Sequence, residues 1–136
     1  MSFIYNRNLR DAAKKGVLAL PAAAANISGA GIDLEQANGG ISDDVDFEIA
    51  IPALPNLADA KALTVTVQDS ADGTTYAALD PSQVTTVTGA SGAGSAAKTV
   101  RFRLPPQARR YVGLHLAVAA SGGDSTAKSV TLSALF

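Results

Sequence analysis

The chain has 136 residues, 11 basic and 12 acidic side chains for a net charge of −1, one histidine and no cysteine. That length fits a single domain, and near-neutrality removes any global field that would draw in nucleic acid or an anionic membrane. Without cysteine there is no disulfide scaffold, thiolate metal site or cysteine nucleophile, which suits a reducing compartment or a particle assembled inside a cell. No apolar run approaches the roughly 20 residues that span a bilayer as a helix.

Residues 1–16 read as an N-terminal arm, distinct from a single β-sandwich domain over residues 17–136. Asn8 is placed to cap a short helix from Leu9 to Lys15, with Gly16 as its stop and Lys14 and Lys15 at the negative end of its dipole. Phe3, Ile4 and Tyr5 give the arm an apolar tip. The basic residues Arg7, Arg10, Lys14 and Lys15 before VLALPAAAA have the outline of a secretory signal, but Asp11 and Pro21 interrupt it.

From Val17 onward the chain alternates strand and turn. Residues 17–22 make a first strand that Pro21 assigns to a sheet edge, and Ile32 and Leu34 alternate with Asp33 and Glu35. After a turn at Asn38, Gly39 and Gly40, Val45, Phe47, Ile49 and Ile51 alternate with Asp46, Glu48 and Ala50. Leu63, Val65 and Val67 follow, then a hairpin turn at residues 69–73 and a return strand at 75–79. Residues 84–88 form a short strand, and residues 89–97 form a loop of glycine, serine and alanine. Val100, Phe102 and Leu104 lead through Pro105, Pro106 and Gln107 to Val112, Leu114, Leu116 and Val118, and Val130, Leu132 and Ala134 close the pattern. A period of two puts one set of side chains on a core face. Eight or nine such strands, without long helical patterns between them, predict an all-β antiparallel sandwich or jelly roll.

Chemistry is sparse. His115 falls on the strand face opposite Leu114 and Leu116, with Tyr111 and Gly113, and no hydroxyl and carboxylate are marked to complete a triad with it. Asp43, Asp44, Asp46 and Glu48, with Asp33 and Glu35, match no calcium-loop spacing and read as a solvated charged strand. Residues 89–99 lack the glycine and the following helix of a phosphate loop. Arg101, Arg103, Arg109 and Arg110 are candidates for a local basic patch. No catalytic residue, cofactor or metal ligand is assigned.

Two resemblances remain. VTVQDSADGTTYAAL, followed later by RRYVGLHL, is similar to the strand, Asp-Gly turn and Arg-Tyr strand of discoidin-type jelly rolls, which implies sugar binding as the alternative function. Those modules present exposed aromatics, whereas this chain lacks tryptophan, and Tyr76 and Tyr111 read as packing residues.

A wider resemblance covers most of the chain. Ile32-Asp33-Leu34, then residues 63–79, 103–118 and 130–136, in that order, resemble the small jelly-roll decoration, or cement, proteins of tailed-phage capsids named from a Bordetella phage. The resemblance implies a structural, non-enzymatic virion protein, made in the host cytoplasm, that binds the outer capsid surface as an oligomer. Its partners would be the major capsid protein and itself, as dimer or trimer, with no nucleic acid and no membrane. The candidate capsid or subunit contacts are Phe3, Ile4, Tyr5, Arg7, Leu9, Arg10, Lys14 and Lys15, together with loops at one end of the sandwich that include residues 89–97.

Overall fold

A computed structural model of the protein describes residues 10–34, 46–79, 82–104 and 108–135. Its described residues form nine strands and no helix: β1 (Arg10–Ala19), β2 (Asn26–Asp33), β3 (Asp46–Ile51), β4 (Ala62–Ser70), β5 (Ala77–Ala78), β6 (Val84–Thr88), β7 (Lys98–Arg103), β8 (Tyr111–Val118) and β9 (Ser129–Leu135). One sheet runs β1-β9-β3-β7 and the other β2-β8-β4, with β5 and β6 sharing the far edge of β4. All the pairings are antiparallel. Successive long strands alternate between the sheets, which is the strand order of a jelly roll.

The alternation sets the core. Phe47, Ile49 and Ile51 of β3 and Val130, Leu132 and Ala134 of β9 meet Leu63, Val65 and Val67 of β4 and Val112, Leu114, Leu116 and Val118 of β8, all buried. The Phe47 and Phe102 rings, opposite each other on β3 and β7, stack with centroids 5.7 Å apart.

Several expectations need correcting. The helix expected from Leu9 to Lys15 is not formed over its described residues: residues 10–19 are strand, and residues 15–19 pair in unbroken register with β9. Two isolated helical turns barely recover their nucleation cost, whereas a strand beside β9 gains a ladder and a buried face. The division at residue 16 therefore falls inside β1, and the first strand ends at Ala19 rather than Ala22. β2 begins six residues before Ile32. The return strand at residues 75–79 shrinks to Ala77–Ala78, because β6 takes the rest of the β4 edge.

Phe3, Ile4, Tyr5, Arg7 and Leu9, the expected turn at Asn38 to Gly40, Glu35, Asp43, Asp44 and the Pro105-Pro106-Gln107 connection lie outside the described residues.

Candidate functional site

The connections sort into two ends of the sandwich. At the first end sit residues 20–25, 52–61, 89–97 and 119–128, bound to one another through the backbone. Leu20 N–H donates to the Lys128 carbonyl (2.9 Å), Ala58 N–H to Gly122 (3.0 Å) and Ala60 N–H to Gly89 (2.9 Å). Leu54 and Ser95 exchange two hydrogen bonds, of 2.9 and 3.0 Å. Side chains add to the lattice: the Asp59 carboxylate accepts from Gly92 N–H (2.9 Å), and Asn56 Nδ2 donates to the Asp124 carbonyl (3.1 Å).

Each connection at this end also holds one non-glycine residue at positive φ: Ala24, Ala60, Ser91 and Ser121. No other described non-glycine residue has this conformation. It costs roughly 1–2 kcal/mol per residue for an L side chain, so the surrounding packing must over-determine all four. The loop at residues 89–97 expected as a contact surface thus belongs to a stiff, strained rim.

The second end carries residues 71–79, 82–83, 104 and 108–110 and the start of β1 at Arg10, a strand's length of about 30 Å from the first end. Its hairpin turn is built on Asp72. One carboxylate oxygen accepts from Thr74 N–H (2.8 Å), Thr75 N–H (3.0 Å) and the Ser70 hydroxyl (2.9 Å), while Gly73 takes the positive φ. Those donors, Thr75 first, hold the Asp72 carboxyl down from 3.8 to about 2. A depressed folded-state value gives stability that is present above the unfolded pKa and lost as pH falls through the folded one. Asp72→Ala is therefore expected to lower the urea midpoint at pH 7 and to lose most of that effect by pH 2. An equal loss at both values would remove the carboxylate from the turn's stability.

The expected basic patch is not formed, because the four arginines separate and each meets a carboxylate. Arg101 and Arg103 lie on the outer face of the β1 sheet against Glu48 (3.3 Å) and Asp46 (2.6 Å). At the second end Arg109 joins Asp69 through its backbone N–H (2.9 Å) and Nη2 (2.8 Å), which raises the guanidinium pKa further, and Arg110 forks onto both oxygens of Asp33 (2.7 and 2.9 Å). Glu48, expected on a solvated face, is only 5% exposed beneath this layer. Among the described residues no group of three or more histidine or acidic side chains converges as metal ligands.

His115 gains a partner that sequence spacing did not mark. Antiparallel pairing of β2 with β8 sets Ser28 opposite it, Ser28 Oγ to His115 Nδ1 being 2.8 Å. Thr66, a residue without a carboxylate, lies on its other side in the register. Tyr76 and Tyr111 pack as the sequence suggests. A Cβ added at Gly113 would stand 3.2 Å from the Tyr76 ring, one at Gly31 would strike its hydroxyl, and Tyr111 borders Gly73. Arg110 covers the Tyr111 ring at 5.3 Å.

Of the eight candidate contact residues, Arg10, Lys14 and Lys15 lie on β1, with Lys15 exposed. These three are at or near the second end, apart from the strained rim. No protein-family model matches the chain, and no curated protein matches it.

Proposed function

We propose that this protein is a structural component of a phage virion that binds the outer capsid surface as an oligomer and cements neighbouring capsid subunits. The observation that carries this reading is the jelly-roll order of the strands, which is the fold that the resemblance of residues 32–34, 63–79, 103–118 and 130–136 to capsid decoration proteins implies. The two ends support it physically. A cement must hold two neighbours at once, and a stiff loop rim about 30 Å from the start of β1 offers two separated contact regions on one rigid body. Binding only the assembled lattice stabilises that lattice by mass action, and several modest contacts on a symmetric surface add as avidity.

The corrected position of β1 changes the informative truncation. Removing residues 1–16 would take away more than half of a strand that covers β9. Removing residues 1–9 leaves every described strand intact. The shorter deletion is expected to keep the circular dichroism and urea midpoint of the full chain while weakening capsid binding about tenfold or more, the loss of one contact from an avid set. Unchanged binding by that variant would remove the arm from the interface.

A further inference from the structure

We propose that a second copy of this chain pairs antiparallel with the outer edge of β1 over residues 15–19, across a two-fold axis centred on Val17, joining two four-stranded sheets into one. The inference deepens the proposed virion role by naming the oligomer's contact, and its test is made without capsids so that the two readings fail separately.

The backbone directions carry it. Leu20 N–H donates to Lys128 on the β9 side, and the direction of these groups alternates along an antiparallel ladder. Leu18 and Gly16 therefore turn their N–H and C=O groups to β9, while those of Lys15, Val17 and Ala19 point away from the sheet. No strand among the described residues lies on that side. An edge of this kind is a template for another extended chain.

The other edges are blunted. On β6 the same reasoning from the Val67 N–H bond to Gln83 turns Val84, Thr86 and Thr88 outward, and the Lys98 amine already caps the Thr86 carbonyl (3.5 Å). β7 carries Lys98, Arg101 and Arg103 in six residues. β2 is broken by a register shift between Gly29 and Ile32. Over residues 15–19 the β1 edge keeps an unbroken register and carries a single charge, Lys15, the register shift of β1 lying between Arg10 and Lys15.

The occupant is a second copy because the edge is its own complement. Pairing centred on Val17 sets Val17 opposite Val17 and Lys15 opposite Ala19, so no like charges meet and each long side chain faces a small one. Val17 is 57% exposed. Ile27, 39% exposed on β2, opens on the same side of the sandwich, where Leu18 packs on Gly29. A two-fold contact thus buries apolar side chains that the monomer leaves in water.

The register makes a charge-specific test possible on the full-length protein by sedimentation equilibrium. Ala19→Lys places lysine opposite Lys15 twice per dimer and is expected to weaken dimerisation about tenfold or more, whereas Ala19→Glu, which faces the same Lys15, retains or tightens it. Val17→Pro removes an outward N–H that β9 does not use, and it should give a folded monomer. Val84→Lys, on the opposite edge, should leave the dimer unchanged. A wild-type monomer at all concentrations, equal effects of Ala19→Lys and Ala19→Glu, or dissociation by Val84→Lys would overturn the proposal.

Discussion

Phe47→Ala is expected to cost about 4 kcal/mol of folding stability, as ring-to-methyl truncations in closed cores do. Phe47 is fully buried on β3, a strand paired on both sides, and its ring stacks on Phe102. Its cross-strand neighbour towards β9 is Ala134, too small to fill the space left behind. Against a total stability of roughly 5–15 kcal/mol, that loss leaves a marginal or unfolded domain. Urea unfolding followed by circular dichroism reads it directly, and Phe47→Leu, which keeps most of the volume, should cost only about 1 kcal/mol. A loss below about 1 kcal/mol for the alanine variant would mean that the two sheets do not close on this ring.

The second large effect lies in the strained rim. Gly94 has φ of +72°, and a Cβ there would strike the Leu54 carbonyl oxygen and come within 2.7 Å of the Pro55 backbone. Gly94→Ala must therefore push residues 89–97 away from residues 52–61 and break the paired hydrogen bonds between Leu54 and Ser95, for an expected cost of about 3–4 kcal/mol. Gly92 is its control. Its φ is +68°, but a Cβ there meets nothing within 4 Å. Gly92→Ala should cost only the left-handed penalty of about 1 kcal/mol. Equal urea midpoints for the two alanine variants would show that the loops are not pressed together, and with them the rigid rim would fall.

What could be read from the sequence follows from where its information is local. Phe47 to Ile51, Leu63 to Val67, Val112 to Val118 and Val130 to Ala134 alternate because each strand has one face in the core, so their existence and inward faces were legible. β2 was not. Ser28, Gly29, Ala30 and Gly31 show no apolar period; Ser28 and Gly29 pair with β8, and Ala30 and Gly31 fall in the register shift before Ile32, with the Tyr76 hydroxyl against Gly31. Residues 10–16 contain good helix formers, and the ladder with β9 overrides that weak preference. The strand order, the Ser28–His115 pair and the pairing of each arginine with its carboxylate depend on contacts between residues far apart in the chain, 87 positions for Ser28 and His115 and 125 for Arg10 and Leu135, which no local pattern encodes. The rim was half legible. Its glycine- and serine-rich loop was evident, but the left-handed Ala24 and Ala60 carry no sequence signal, since alanine does not favour that conformation.

Co-sedimentation of the full-length protein with mature capsid shells stripped of their decoration, over a range of protein concentrations, tests the cement role most directly. The account predicts saturable binding at a fixed ratio to the capsid subunit and a higher melting temperature of the decorated shell. Absence of binding to shells that still accept their own decoration protein would contradict it.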